Sequence, residues 1–251
     1  MAPNLLILGG TTEATALCRR LDEEELRARI SFAGRVERPV SQPVPQRVGG
    51  FGGVAGLVDY LNAEGITHVV DATHPFAARM SANAEAACFE ARVRLIALTR
   101  PPWQAQAGDK WERVPDIAGA VAALDRPATR VMLAVGRMHL DDFAPNPQHT
   151  YLLRMVDQPK GALPFPNCHV VVDRGPFSEA GDLALMRDHG IGLVVSKNAG
   201  GTGAAAKIVA ARKLGLPVIM IDRPALQSRA EAHSVVEVLR WLGHDDTDRG
   251  V

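Results

Sequence analysis

Short runs of leucine and β-branched residues alternate along this chain with segments whose apolar residues recur at helical spacing. The first run, Leu5–Leu8, leads directly into Gly9–Glu13 (GGTTE) and then into a helical segment. Strands that alternate with helices form parallel sheets, because each helix returns the chain to the same end of the sheet. The sequence therefore predicts an α/β fold of mainly parallel sheets flanked by helices.

The alternation occurs in two rounds, separated by the proline-rich stretch Arg100–Asp109. The first round predicts strands at Leu5–Leu8, Ile30–Ala33, His68–Asp71 and Arg94–Leu98, and helices at Glu13–Arg29, Val54–Glu64 and Ala77–Ala91. The remainder predicts strands at Trp111–Val114, Arg130–Val135, Tyr151–Val156, Val170–Asp173, Gly192–Ser196 and Val218–Ile221, and helices at Asp116–Leu124, Ser178–Asp188, Ala204–Leu214 and Ala232–Leu242. We place the domain boundary near residue 126, giving domains 1–126 and 127–251. The apolar face of the last helix suits packing on either domain.

Composition excludes several classes of protein. The 251 residues are 47% hydrophobic and 22% charged, which is typical of globular chains and not of disordered ones. Basic and acidic residues balance at 28 each, so net charge does not favour a nucleic-acid or membrane partner. Because no apolar run approaches the roughly 18 residues of a membrane span, we expect a soluble, cytoplasmic protein. Cys18 and Cys88 lie on apolar helical faces and are predicted to be buried.

The glycine turn after the first strand is a candidate anion site. Backbone amides and the helix dipole at such a turn favour a phosphate, which makes Gly9, Gly10, Thr11, Thr12 and Glu13 candidate cofactor-binding residues. The strict G-x-G-x-x-G fingerprint is absent. The alternative is a tight turn with Thr12 as the helix N-cap.

Two further loops of the first half are predicted to face the cofactor. Arg35 follows the second strand, where an arginine accommodates the 2′-phosphate of NADP(H) and an acid selects NAD(H). We therefore predict NADPH as the cofactor, the alternative being a solvated arginine on a loop. The cluster 49–53 (GGFGG) places Gly52 and Gly53 before a helix, where backbone can approach a ligand closely or adopt unusual φ angles.

The segment 71–77 (DATHPFA) follows a buried strand and opens a helix, so it lies at the ligand-binding edge of the sheet. Thr73, His74 and Pro75 are candidate cofactor-binding residues. His74 is also a candidate proton donor or positioning group, because its pKa is ordinarily near neutrality. The alternative is a loop histidine that only caps or packs.

The second half repeats the pattern of strand, glycine loop and helix, now with a lysine. Lysine is scarce in this chain, which makes Lys197 conspicuous, and an ammonium among backbone amides suits a carboxylate or phosphate. The alternative is a simple turn with a solvated lysine. Several arginines at strand ends, including Arg100 and Arg137, suit a substrate with many carboxylates. The H-E-x-x-H, G-x-S-x-G and Walker patterns are absent, and the scattered histidines argue against a catalytic metal.

These motifs together resemble the precorrin-6A reductase family of cobalamin biosynthesis. The resemblance rests on LGGTTEA (8–14), GGFGG (49–53), DATHPFA (71–77), RPPW (100–103) and SKNAGG (196–201), and covers about residues 5–223. Ala199 is a point of departure, because the resemblance leads us to expect a small hydroxyl residue at this position as often as alanine. The resemblance implies two Rossmann-like domains with the active site in the cleft between them. It also implies NADPH-dependent reduction of one double bond of a ring-contracted, polycarboxylated tetrapyrrole, precorrin-6A to precorrin-6B.

On this basis we expect direct hydride transfer, with NADPH on the first domain and the proton supplied by His74, Lys197 or water. The predicted substrate-binding residues are Arg100, Arg137, Ser196, Lys197, Asn198, Gly200 and Gly201. One alternative is an NADPH reductase acting on another anionic substrate. The other is a redox-silent protein that binds a nucleotide or nucleotide-sugar as a transferase or sensor, because it would share the glycine loops.

Overall fold

The structure is a computed structural model that describes residues 2–34, 41–173, 175, 177–226 and 228–243. The chain divides into two compact units. Unit 1 comprises Met1–Pro101 and Ala225–Val251, and unit 2 comprises Pro102–Pro224. Each unit contains one six-stranded sheet in which every described pair of strands is parallel. The predicted α/β fold of parallel sheets flanked by helices is confirmed.

Unit 1 begins with five strands and three helices. The strands are β1 (Asn4–Leu8), β2 (Arg27–Phe32), β3 (Gln46–Val48), β4 (His68–Asp71) and β5 (Arg94–Leu98), and the helices are α1 (Thr12–Glu23), α2 (Gly53–Ala63) and α3 (Ala78–Ala91). All five residues of β1 are buried. A strand becomes buried on both faces when helices cover both sides of a parallel sheet, and this explains its apolar run Leu5–Leu8.

The described part of unit 2 contains the next six strands and three helices. The strands are β6 (Lys110–Val114), β7 (Arg130–Ala134), β8 (Thr150–Met155), β9 (Cys168–Val172), β10 (Leu193–Lys197) and β11 (Pro217–Ile221). The helices are α4 (Ile117–Ala123), α5 (Glu179–Asp188) and α6 (Ala206–Leu214), with two 3-10 turns at Arg137–His139 and Asp141–Phe143. The strand order is β6-β11-β10-β7-β8-β9.

The last two elements return to unit 1. They are β12 (Glu231–Ala232) and α7 (Val235–Gly243), and the sheet order becomes β12-β5-β4-β1-β2-β3. Val238 and Leu242 of α7 join the core that contains Leu17 and Leu21 of α1. The last helix therefore packs on unit 1. None of the helices within the described ranges has the length and apolar composition that a bilayer-spanning segment needs.

The division into units differs from the boundary predicted near residue 126. β6 pairs with β11, with Lys110 opposite Pro217, so the chain already lies in the second sheet from β6 onward. The division falls instead after Pro101 and again after Pro224. The second crossing involves pairing between segments that are distant in sequence, which a local pattern does not reveal.

Several element ends also differ from the predictions. Helix α1 ends at Glu23 and not at Arg29, because Glu25 adopts a left-handed conformation (φ 55°). The Leu26 amide then donates to the Leu21 carbonyl, which forms a Schellman motif that stops the helix. The short strands β3 and β12 were not predicted, and α7 begins at Val235 and not at Ala232.

Candidate functional sites at the strand ends of each unit

The turn after β1 has the geometry of an anion cradle. Thr11 is the N-cap of α1: its hydroxyl accepts from the Ala14 amide (3.1 Å) and donates to the Ala72 carbonyl (2.8 Å). The alternative assignment of Thr12 as the N-cap was wrong, because Thr12 already lies within the helix. Gly10 has φ 131°, and a Cβ built there would have no neighbour within 4 Å. The amides that open α1 have no intrahelical acceptor, so the turn suits a phosphate.

Gly9 has a packing role at the same turn. A Cβ at this position would lie 2.5 Å from the Ile30 side chain, so the close contact between the turn and β2 requires glycine. The two adjacent glycines therefore serve different purposes: Gly9 permits packing against β2, and Gly10 supplies the backbone conformation.

Glu13 and Arg100 form an ion pair in unit 1. Arg100 Nη1 lies 2.6 Å from Glu13 Oε2, and the Thr12 hydroxyl donates to the same oxygen at 3.1 Å. Their side chains are 16% (Arg100) and 27% (Glu13) exposed. The structure thus brings a predicted substrate-binding residue, Arg100, into contact with a predicted cofactor-binding residue, Glu13.

The glycine loop after β3 is held by Arg47, which the sequence analysis missed. Its guanidinium donates to the carbonyls of Gly49 (3.0 Å) and Gly50 (3.1 Å) and to the Ser31 hydroxyl. The same group lies 4.0 Å from the ring centroid of Phe51. Gly52 and Gly53, at the start of α2, have φ angles of 83° and 92°, which explains why these two positions require glycine.

Asp71, at the end of β4, organises the loop that follows it. One carboxylate oxygen accepts from the amide and hydroxyl of Thr73, and the other accepts from Ser81 (2.6 Å) and Arg229 (2.7 Å). The Asp71 side chain is 1% exposed, and Arg229 also lies 3.4 Å from Glu85. Thr73 is therefore occupied with this network. No local signal in the sequence pointed to Arg229.

His74 lies beyond this network, on the segment that leads into α3. Its Nδ1 accepts from the Phe76 amide at 3.2 Å. An imidazole nitrogen that accepts a hydrogen bond carries no proton, so the neutral ring has its proton on Nε2. His74 can thus donate from Nε2. His74 and Pro75 are both partly buried.

In unit 2, the loop after β10 is held by side chains from elsewhere in that unit. The Asn198 side-chain amide accepts from the Trp103 backbone amide (2.7 Å) and donates to the Trp103 carbonyl (3.0 Å). The Trp103 indole donates to the Gly201 carbonyl (2.7 Å), and Arg223 donates to the carbonyls of Asn198 (3.0 Å) and Ala199 (2.9 Å). Trp103 and Arg223 are thus the supports of this loop.

The other predicted substrate residues of unit 2 differ in accessibility. Ser196 is fully buried and its hydroxyl donates to the Lys197 carbonyl, whereas Lys197 itself is partly exposed. Gly200 and Gly201 both have φ 68°. Arg137 is exposed in the 3-10 turn that follows β7. Lys197 and Arg137 are the members of this set whose charged groups a ligand can reach.

The predicted residues thus divide between the units. Unit 1 contains Gly9, Gly10, Thr11, Thr12, Glu13, Gly52, Gly53, Thr73, His74, Pro75 and Arg100, and unit 2 contains Arg137, Ser196, Lys197, Asn198, Gly200 and Gly201. Arg35 lies outside the described residues. Within the described ranges, no group of three or more histidine, cysteine, aspartate or glutamate side chains is arranged to hold a metal ion.

Burial changes the chemistry of the two predicted core cysteines in unit 1. Desolvation raises the pKa of the Cys18 thiol to about 11 and that of Cys88 to about 12, with the Asp71 charge adding to the second shift. Both side chains are buried, as predicted. Their thiols are therefore protonated near neutral pH and unsuited to nucleophilic catalysis.

Two all-parallel sheets with glycine-rich turns after β1 and β10 define an α/β protein whose candidate sites lie at the carboxyl ends of its strands. The chain belongs to the precorrin-6x reductase CbiJ/CobK family, whose model matches residues 4–243. It is 58% identical to the precorrin-6A reductase of Rhodobacter capsulatus, over 98% of this chain and 99% of that protein.

Two further similarities extend over nearly the whole chain. The precorrin-6A reductase of Sinorhizobium sp is 45% identical over 96% of this chain and 93% of its own length. A solved structure described as CobK precorrin-6A reductase superposes with a TM-score of 0.94 at 57% identity, covering 96% of each chain. The family resemblance expected from the sequence motifs is confirmed.

Proposed function

We propose that this chain reduces one carbon–carbon double bond of precorrin-6A with NADPH and yields precorrin-6B. The observation that carries the substrate assignment is the 58% identity, over 98% of the chain, to a protein named precorrin-6A reductase. Membership of a reductase family implies a reductant. The turn after β1 supports a dinucleotide as that reductant.

The residues of unit 1 fit a phosphorylated cofactor. Gly10 leaves open space where a side chain would otherwise stand, and Thr11 fixes the first turn of α1 by capping it. The turn follows the central strand of the sheet, where α/β folds bind dinucleotides. We therefore propose the backbone amides of Gly9–Glu13 as the pyrophosphate site, and Gly52, Gly53, Thr73, His74 and Pro75 as its neighbours on the cofactor side.

Bound NADPH would supply the hydride, and the second carbon of the reduced bond must then receive a proton. Because His74 Nδ1 accepts from the Phe76 amide, its neutral ring carries an N–H at Nε2. A neutral imidazole is too weak an acid to release this proton, so we propose that a water molecule supplies the proton and that the Nε2 hydrogen of His74 orients this water by a hydrogen bond. The chain otherwise contributes orientation, and holding two reactants in a near-attack geometry can lower a barrier by roughly 7–11 kcal/mol.

The carboxylates of the substrate require cations. We propose Lys197 and Arg137 for this role, because both are accessible charged groups at the carboxyl edge of the unit 2 sheet. Asn198, Gly200 and Gly201 shape the loop beside Lys197, and Ser196 supports it from within the core. Lys197→Ala should raise the KM for the tetrapyrrole and leave the Kd for NADPH unchanged.

The first experiment is a fluorescence titration of the protein with NADPH and, in parallel, with NADH. The proposal expects a clear preference for NADPH, followed by oxidation of one NADPH for each precorrin-6A reduced. Arg35→Ala should weaken NADPH binding more than NADH binding, because only NADPH carries the 2′-phosphate. Equal weakening would remove Arg35 from that role, and NADPH that is not consumed with precorrin-6A would overturn the assignment.

A further inference from the structure

The ion pair between Glu13 and Arg100 crosses the crevice of the unit 1 sheet. Arg100 follows β5, and Glu13 lies in the first turn of α1, which follows β1. β4 lies between β5 and β1 in the sheet. The Arg100 side chain must therefore pass over the carboxyl end of β4 to place Nη1 2.6 Å from Glu13 Oε2.

This crossing point is the place where the strand order reverses. From β1 the chain continues to β2 and β3 on one side of the sheet and to β4 and β5 on the other. Ligands of open α/β sheets bind in the crevice at this reversal. Glu13 belongs to the first turn of α1, so the guanidinium that contacts it lies near the end of the helix whose amides favour a phosphate.

The two partners have opposite relations to a phosphate. A guanidinium binds phosphate through charge-assisted hydrogen bonds, whereas the Glu13 carboxylate repels an anion and occupies Arg100 as a counter-ion. The Thr12 hydroxyl, which donates to Glu13 at 3.1 Å, holds the carboxylate at the turn.

We infer that Arg100 binds the pyrophosphate of the dinucleotide and not a carboxylate of the substrate, and that Glu13 lowers cofactor affinity by competing for Arg100. This inference rests on the proposed NADPH site. The competition would favour release of the oxidised cofactor after turnover, because Arg100 always has an alternative partner within reach. The two residues of one ion pair should then affect cofactor binding in opposite directions.

The test compares the NADPH dissociation constants of Arg100→Gln and Glu13→Gln in the full chain. Arg100→Gln should weaken NADPH binding about tenfold or more, the effect of losing a charge-assisted hydrogen bond. Glu13→Gln should tighten it about threefold, since the competing charge is removed and the residue remains a good helix former. Arg100→Lys should recover part of the affinity, because the charge remains without the bidentate geometry.

Matched controls lie at the other end of the same helix. Arg20 pairs with Glu23 at 3.0 Å on the exposed surface of α1. Arg20→Gln and Glu23→Gln change the same charges and should leave NADPH binding unchanged. Thermal melting of every variant separates a loss of folding from a loss of affinity.

Inorganic pyrophosphate, titrated by calorimetry, separates this inference from the proposed function. If the unsubstituted protein binds pyrophosphate but not NADPH, the proposed function fails, and the inference is judged on pyrophosphate affinity in the same variants. If Arg100→Gln and Glu13→Gln weakened binding equally and both lowered the melting temperature, the ion pair would only stabilise the fold, and the inference would be overturned. The inference would also be overturned if the two substitutions left NADPH affinity unchanged or raised only the KM for the tetrapyrrole. It would likewise be overturned if the unsubstituted protein bound neither NADPH nor pyrophosphate.

Discussion

The glycine-rich turns after β1 and β10 share the pattern of strand, glycine loop and helix, but the two units hold them with different chemistry. In unit 1 the neighbouring loops are fixed by buried or half-buried ion pairs, Asp71 with Arg229 and Glu13 with Arg100. In unit 2 the loop is fixed mainly through backbone groups: Asn198 bonds both polar groups of the Trp103 peptide backbone, and Arg223 donates to loop carbonyls.

The same pattern of strand, glycine loop and helix can thus use its backbone groups in different ways. The β1 turn leaves the amides at the start of α1 available for an anion. The β10 loop has three carbonyls occupied by Trp103 and Arg223, so these backbone groups are part of the scaffold, and we propose the Lys197 side chain as the group that binds a ligand. A glycine loop therefore identifies a candidate site, and its hydrogen bonds decide which atoms of the site are used.

Breaking the buried ion pair between Asp71 and Arg229 in unit 1 should cause the largest loss of stability. Asp71→Ala removes the closest carboxylate partner of the largely buried Arg229 guanidinium and leaves it with the more distant Glu85 and Glu231, at 3.4 and 3.7 Å. Breaking a buried ion pair costs about 3–5 kcal/mol. Urea unfolding followed by far-UV circular dichroism measures the change. Glu64→Ala is the control, because its pair with Arg29 is about one-third exposed and should contribute within about 1 kcal/mol. Equal losses in both variants would contradict the role of Asp71.

Removing the hydrogen bonds between Asn198 and the Trp103 backbone in unit 2 should cause the next largest loss of stability. Asn198→Ala leaves the amide and carbonyl of Trp103 without partners, at a cost of about 2–4 kcal/mol. Gln148→Ala removes an exposed amide that also bonds two backbone carbonyls, and should cost less than about 1 kcal/mol. The same urea experiment measures both variants. Similar losses of stability for Asn198→Ala and Gln148→Ala would show that the hydrogen bonds of the β10 loop contribute no more than an ordinary surface contact.

The sequence predicted the parts of this comparison that depend on local pattern. Each of the two strands and its following glycine turn were predicted because apolar runs and glycines lie next to each other in the chain. The end of α1 was missed because its left-handed residue is Glu25, which gives no glycine signal. The short strand β3 was missed because three partly exposed residues pair with β2 only in the folded sheet.

The supports of the sites were missed for a related physical reason. Asp71 and Arg229 are separated by 158 positions, and Trp103 and Asn198 by 95. Contacts of this kind form only when the topology brings two segments together, so no periodicity or spacing announces them. The candidate residues at the turns could thus be predicted from the sequence, whereas the residues that hold the turns in place could not.

Thiol reactivity gives a third contrast between the units. Burial raises the pKa of Cys18 to about 11, from 9.0, so its thiolate fraction near pH 8 falls about 100-fold, and the Cys88 thiolate is rarer still. Cys168 of unit 2 is only partly buried. A disulfide reagent at pH 8 should therefore label one thiol rapidly in the folded protein and three in urea. Cys168→Ser should remove the rapid phase, and rapid labelling that survives this change would refute the contrast.

The smallest expected effect concerns the charged cap of α7 in unit 1. Glu237 accepts from the His233 amide and the Ser234 hydroxyl, and these hydrogen bonds lower the pKa of its carboxyl. Because the folded pKa lies below the unfolded one, this cap stabilises the protein fully above the unfolded pKa, and the gain is lost as pH falls through the folded pKa.

Unit 2 offers the uncharged counterpart, since Ser178 caps α5 through its hydroxyl and the Gly181 amide. Urea unfolding of Glu237→Gln and the unsubstituted protein between pH 7 and about pH 3 should show a stability difference that shrinks with acid, because Glu237 becomes protonated in both states. Ser178→Ala should cost about 1 kcal/mol with no such pH dependence. A difference for Glu237→Gln that stayed constant across this range would mean that shape and not charge makes the α7 cap, which would remove one distinction between the two units.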